Sequence, residues 1–383
     1  MSAAPSAATG LVVGVPRETL AGETRVALVP EIATKFANLN ARVVMERGAG
    51  AAAGFPDEQY KNVEFVDSAA EVYARADLLL RVQPLTAAEV GMLREGSVHA
   101  GFMQPHNHLA AVAALRDRKI TSFAAELVPR ISRAQSMDAL SSQAAISGYK
   151  AVLIAANTLN RFFPMLTTAA GTIRPAQVLV IGVGVAGLQA IATAKRLGAI
   201  VEAYDVRSAT RDQVKSLGAK FVETGVTAEG TGGYARELTA EEKAKQQEVL
   251  DGRIAVADAV ITTAGVPGRA APKIVSKAAV ERMKPGAIIV DILAENGGNC
   301  ELTRAGEIVQ HGGVKIVGPI NLASQLAYHA SEMYARNLFN LLSPALKAGV
   351  LTFDWTDEVF AGTVLTHAGE VKHEPTAKLL AAG

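Results

Sequence analysis

The chain has 383 residues, enough for two or more domains with full hydrophobic cores. Its formal net charge is +1 with acids and bases interspersed, which leaves no electrostatic footprint for nucleic acid. Half of it is apolar (49%), and a single cysteine, Cys300, excludes an internal disulfide and suits a reducing compartment.

The first ten residues lack basic side chains and an apolar run, so they read as a flexible lead and not as a signal peptide. Short apolar runs then recur between helical stretches: Leu11 to Val15, Ala41 to Met45, Val63 to Val66, Asp77 to Val82, Ser97 to Met103 and Ile120 to Ala124. This rhythm predicts a first parallel α/β domain. Glu18 and Arg25 flank a polar loop after its first strand, where either a solvated ion pair or part of a site is expected. The segment Arg130 to Gln143 follows the last of these strands. A glutamine amide such as that of Gln135 both donates and accepts, as a ligand carboxamide requires. Arg130 and Asp138 could hold one another and a sugar hydroxyl of such a ligand. The plainer alternative is that Asp138 and Ser136 cap the next helix while Arg130 and Arg133 are solvated.

From Met137 to about Arg161 the pattern is helical, and the small residues Ala144, Ala145, Ser147, Gly148 and Ala151 would admit a close neighbour. Pro175 to Ala194 is free of charge for 20 residues, but three glycines and two glutamines divide it into strand, loop and helix instead of a membrane span. The loop is Gly182-Val183-Gly184-Val185-Ala186-Gly187, directly after the strand Val178 to Ile181. In G-x-G-x-x-G the first glycine makes the turn and the second admits a pyrophosphate. The third lets the helix pack close to the strand, with the phosphates on the helix N-terminus. Asp205 ends the next strand, 23 positions after Gly182, where an acid meets the adenosine ribose and disfavours a 2′-phosphate. Arg207 beside it is a cation of the kind that NADP sites use, but the acid favours NAD(H). Further strands are expected at Lys220 to Val222, Ala257 to Thr262, Ala287 to Ile292 and Val314 to Val317. The glycine-rich Glu223 to Gly233 with Tyr234 interrupts the rhythm as either a lid or a surface excursion. A second helical stretch, Ala323 to Lys347, and a hairpin turning at His367-Ala368-Gly369 complete the chain. The fold class is α/β, with two Rossmann-like, doubly wound parallel-sheet domains joined by long connector helices. Residues 1–136 with 336–383 form the first domain and 137–335 the dinucleotide-binding domain.

Arg130 to Gln143 resembles the signature loop of the NAD(H)-binding component of proton-translocating nicotinamide nucleotide transhydrogenases. The likeness extends over Gly14 to Glu18, Thr168 to Gly171, Gly182 to Gly187, Gly232 to Tyr234, Thr262 to Ala264, Gly297 to Cys300 and Ala330 to Tyr334. It implies direct hydride transfer from NADH to NADP+ on a partner component, coupled by membrane-spanning subunits to proton movement. Arg130, Gln135, Asp138 and Ser141 then match the loop at the nicotinamide end, and Tyr234 the mobile-loop tyrosine. Gly182, Gly184, Val185, Ala186 and Gly187 are the expected pyrophosphate contacts. Asp205, Val206 and Arg207 fall on the adenosine side, and Thr263, Ala264 and Gly265 are further expected cofactor contacts. No metal is implied. The resemblance also implies a homodimer in which either the C-terminal hairpin or an earlier one exchanges between protomers, on the cytoplasmic face of the inner membrane through its partners and without inserting itself. The segment Val317 to Gln325 departs from the commoner family pattern. The alternative enzyme is an alanine dehydrogenase-like oxidoreductase, which needs a cation for a keto-acid carboxylate and a histidine to move a proton. For these the chain offers Arg81, His106 and His108, while Gln83 stands where that family carries a substrate-binding lysine. A non-catalytic nucleotide sensor is the third reading.

Overall fold

The computed structural model describes residues 10–226, 236, 238–265 and 269–382. They form two compact units, Met1–Gln143 with Leu326–Gly383, and Ala144–Gln325. The first unit contains the parallel strands β1 (Val12–Val15), β2 (Arg42–Glu46), β3 (Val63–Val66), β4 (Leu78–Leu80), β5 (Val98–Gly101) and β6 (Thr121–Ala124). They lie in the order β3-β2-β1-β4-β5-β6, so the direction of winding reverses between β1 and β4. Such strands are covered on both faces and read as unbroken apolar runs. In β4, Leu78 and Leu80 enter one core while Leu79 enters the other. The terminal hairpin, β18 (Val364–His367) and β19 (Glu370–Val371), extends this sheet antiparallel to β6. Ala368 (φ 50°) and Gly369 (φ 84°) are both left-handed, as a two-residue hairpin turn that matches the strand twist requires. A short ribbon, β16 (Leu346–Lys347) and β17 (Val350–Leu351), stands apart from this sheet.

The second unit opens with the greater part of the helix Ala139–Thr158, followed by a two-stranded hairpin, β7 (Leu166–Thr168) and β8 (Gly171–Ile173). Its sheet contains β9 (Gln177–Ile181), β10 (Ile200–Tyr204), β11 (Lys220–Phe221), β12 (Ala259–Thr262), β13 (Ile288–Asp291), β14 (Ile308–His311) and β15 (Val314–Val317). The order is β11-β10-β9-β12-β13-β15-β14, with β14 antiparallel at the edge and the switch point between β9 and β12. Alternation along β9 sends Val178 and Val180 to one face of the sheet and Leu179 and Ile181 to the other. Open sheets of this kind bind ligands beyond the carboxyl ends of the strands at the switch point.

The division between units falls at 143/144 and 325/326, later and earlier than the 136/137 and 335/336 expected from sequence. The helix Ala327–Leu342 ties itself into the first unit. Tyr334 donates to the Arg81 carbonyl (2.7 Å), and Asn337 donates to the Ser136 carbonyl (2.9 Å) and accepts from Ser142 Oγ (2.7 Å). The same contacts hold residues 136–143 in that unit.

Candidate dinucleotide site

At the end of β9 the chain must turn within one residue, and Gly182 does so at φ 94° with its N–H bonded to the Tyr204 carbonyl (2.8 Å). A Cβ there would lie 2.7 Å from the amide nitrogen of Ala264. A Cβ on Gly187 would lie 1.9 Å from the Gly182 oxygen, so only glycine lets the following helix sit this close to the turn. Around Gly184, by contrast, the space is open. This glycine is the N-cap of the helix Val185–Arg196, whose first turn carries no acidic side chain and no side-chain cap. Its leading N–H groups therefore face outward from an uncapped, positive helix end, which suits an anion. On the opposite side of the helix start, a Cβ on Gly148 would fall 2.0 Å from the Ala186 carbonyl oxygen, so the small residues of Ala139–Thr158 do admit a close neighbour. The loop meets the steric and electrostatic demands of a pyrophosphate.

Asp205 stands just past β10 and is buried. Its Oδ2 accepts from Val183 N (2.7 Å) and Arg207 Nη2 (2.7 Å), and its Oδ1 from Arg207 N (2.9 Å) and Nε (2.8 Å). Arg207 also donates to the Val183 carbonyl (3.2 Å). The carboxylate thus fixes the glycine turn, and ribose hydroxyls would compete with the Arg207 guanidinium for it. Val206 is partly buried beside it. Across the switch point, Thr263 donates its N–H to the Ile181 carbonyl (2.8 Å) and its hydroxyl to the Gly182 carbonyl (3.2 Å). Ala264 and Gly265 continue that loop. Gly182, Gly184, Val185, Ala186, Gly187, Asp205, Val206, Arg207 and Thr263 to Gly265 are therefore grouped at one sheet end, whereas Tyr234 lies outside the described residues.

Arg130, Gln135, Asp138 and Ser141 belong to the first unit. Asp138 caps the helix Ala139–Thr158: its Oδ1 accepts from Ser141 N (2.8 Å) and its Oδ2 from Ser141 Oγ (2.6 Å). Arg133 is bidentate to Asp357 (2.6 and 2.9 Å). Gln135 and Arg130 are exposed, and the Ser136 carbonyl beside them is anchored by Asn337 and Asn340. Gln143 is buried and bonded to Arg25 and the Ala330 carbonyl, a structural role.

At the switch point of the first sheet lies a cluster of ion-paired side chains, three carboxylates against two guanidiniums. Glu18 and Arg25 are both buried, but neither is the other's partner as an isolated loop pair would have it: Glu18 pairs with Arg81 (3.2 Å) and Arg25 with Glu23 (2.7 Å). Arg81 also meets Glu89 (2.8 Å) and Tyr73, while the Gln83 amide donates to Glu23. Burial alone would raise the Glu23 carboxyl, but the hydrogen bonds and charge of Arg25 hold it at about 2.

Residues 14–147 match the model of the alanine dehydrogenase/PNT N-terminal domain, and residues 151–374 that of the C-terminal domain. The chain belongs to the alanine dehydrogenase/PNT family. This family binds NAD(H). The first part of NAD(P) transhydrogenase subunit alpha from Rhodospirillum rubrum is 46% identical over 374 residues, covering 94% of this chain and 97% of the relative. The alanine dehydrogenase of Mycobacterium tuberculosis is 34% identical over 297 residues, 76% of this chain and 75% of the relative. The crystal structure of transhydrogenase from Sinorhizobium meliloti superposes with TM-score 0.85 at 42% identity, covering 94% of this chain and 99% of that one.

Within this alanine dehydrogenase/PNT member the cation considered for a keto-acid carboxylate, Arg81, is only 3% exposed at its side chain and already faces two carboxylates. His106 is exposed on the loop after β5, and His108 begins the helix Leu109–Asp117. One neighbour of this loop stood in the sequence only within the resembling segment Gly297 to Cys300 and was not among the expected site residues. Asn299 is fully buried and bonds Ala264 across the switch point. Its signal was the pair of glycines before it, Gly297 (φ 92°) and Gly298 (φ 75°), which turn the chain so that its side chain faces inward.

Proposed function

We propose that this chain is the NAD(H)-binding component of a proton-translocating transhydrogenase, passing a hydride from NADH to NADP+ held on a partner component. The observation that carries this reading is an uncapped glycine turn with Asp205 at the next strand end, on a chain 46% identical to a transhydrogenase component through nearly its whole length. The Gly182 to Gly187 turn and the helix Val185–Arg196 hold the pyrophosphate through backbone N–H groups. Asp205 and Arg207 meet the adenosine ribose. Arg130, Gln135, Asp138 and Ser141 orient the nicotinamide end, with Asp138 and Ser141 locked together by their two hydrogen bonds. NADH, when bound, supplies the hydride from its dihydronicotinamide ring.

Transfer between two nicotinamides moves no substrate proton, so the protein's contribution is orientation and not acid–base catalysis. A neutralised Arg81 and an exposed His106 fit that demand better than reduction of an amino-acid precursor. No helix among the described residues is long and apolar enough to cross a membrane. The membrane steps are accordingly assigned to partner subunits on the inner membrane, with this component at its cytoplasmic face. The strands of the β7–β8 hairpin are exposed along their full length, and Met165 (64%), Leu166 (36%) and Ile173 (45%) present apolar side chains. An isolated two-stranded ribbon is marginal in water, and we assign this arm to a homodimer contact.

The purified chain should bind NADH in preference to NADPH and leave it unoxidised when pyruvate and ammonium are added. Turnover with pyruvate would make the protein a self-sufficient dehydrogenase and overturn the proposal.

A further inference from the structure

Beyond Thr262 the strand β12 leaves its ladder. Thr263 makes the last backbone bond, to Ile181, and one residue later the two backbone polar groups of Ala264 are met by a single side chain. The Ala264 N–H donates to Asn299 Oδ1 (3.1 Å), and Asn299 Nδ2 donates to the Ala264 carbonyl (2.7 Å). The same Nδ2 donates to the Pro272 carbonyl (2.9 Å). Asn299 has no exposed surface, and its own carbonyl accepts from Ile274 N (2.8 Å) and Val275 N (3.0 Å), so the amide is held from behind. A carboxamide paired with one residue's N–H and C=O reproduces what a neighbouring strand would have offered.

The clamped residue matters because of where it lies. Ala264 N is the atom that a Cβ on Gly182 would meet at 2.7 Å, so the loop Thr263 to Gly265 forms the wall facing the glycine turn. Thr263 reaches the Gly182 carbonyl from the same loop (3.2 Å). We propose that Asn299 is a positioning residue for NAD(H): its buried carboxamide clamps Ala264 and so sets the distance between the Thr263 to Gly265 wall and the phosphate-binding turn. The inference rests on the reading that the dinucleotide lies on that turn. Of the twenty side chains, only a carboxamide of this length offers one acceptor and two donors at these three positions. Aspartate has the same shape but would accept from Ala264 N and set a carboxylate against the carbonyls of Ala264 and Pro272, leaving them without their donor.

The test is NADH binding by Asn299→Asp in the full chain, followed by dihydronicotinamide fluorescence alongside thermal unfolding. Cys300→Ala serves as the comparison, since it opens a cavity in the same buried segment while keeping both hydrogen bonds between Asn299 and Ala264. The expected result is an NADH Kd raised about ten-fold or more in Asn299→Asp. Cys300→Ala should lower Tm and leave Kd within about two-fold. In hydride transfer with a partner component, Asn299→Asp should raise the KM for NADH more than it lowers kcat. Should Asn299→Asp not fold, Asn299→Ser, which retains a donor in a smaller volume, carries the same expectation. An unchanged Kd in the Asn299 variant, or Kd values that track Tm loss equally in both variants, would overturn the proposal. Failure of the unaltered chain to bind NADH would instead overturn the nucleotide reading beneath it.

Discussion

In the proposed site, Asp205 is the residue assigned to choose between dinucleotides. Its carboxylate accepts four hydrogen bonds from Val183 and Arg207, so it is held in place before any ligand arrives. Asp205→Ala should weaken NADH binding about ten-fold or more, the scale of lost charge-assisted bonds. It should also relax discrimination against NADPH, because the remaining cation, Arg207, suits a 2′-phosphate. The ratio of the two dissociation constants measures this, and an unchanged ratio would remove Asp205 from the ribose. His99 carries a prediction about stability. It is fully buried on β5 and bonded through Nδ1 to Ser122 Oγ (3.0 Å). Burial, assisted by the charge of Arg81, lowers it from 6.5 to about 3. The unfolded chain takes up this proton near 6.5 while the folded chain resists until about 3. Its contribution is therefore complete above pH 6.5 and is lost as pH falls toward 3, at roughly 1.4 kcal/mol per unit. In urea unfolding between pH 6.5 and 4.5, His99→Gln should show a flatter loss of stability than the unaltered chain; equal slopes would contradict the assignment.

At the scale of elements, the sequence is legible where burial is two-sided. Strands such as Val178 to Ile181 and Ala259 to Thr262 are covered on both faces, and their apolar runs announce them. The terminal hairpin is legible for a different reason, since Ala368-Gly369 sits at the two left-handed positions of its turn. The edge strand β14 went unread because Ile308 to His311 is largely exposed and only half apolar. A signal was present: Gly312 (φ 57°) and Gly313 (φ 80°) form the two-residue turn into β15. The arm β7–β8 is harder, for its three-residue strands bury nothing within the chain. Replacing Met165, Leu166 and Ile173 by serine should convert a dimer to monomers in sedimentation equilibrium with Tm in dilute solution little changed. A variant that stays dimeric would take the arm out of the interface.

For the whole molecule, both units share one plan, a parallel sheet whose winding reverses once, yet the two switch points differ in chemistry. The second presents an uncapped helix end and a glycine turn; the first fills its crevice with Arg25 paired to Glu23 and Arg81 held between Glu18 and Glu89. The glycine spacing and the acid at the next strand end made the former readable. The latter was not, because pairings such as Glu18 with Arg81, 63 positions apart, depend on which strands become neighbours. In the proposed function this chain holds one nucleotide and the hydride acceptor belongs to a partner. The most direct measurement mixes the purified chain with an NADP(H)-binding transhydrogenase component and follows reduction of NADP+ by NADH. Parallel reactions omit the partner or replace it with pyruvate and ammonium. Transfer only in the presence of the partner is the predicted result, whereas NADH oxidation by pyruvate and ammonium without it would contradict the account.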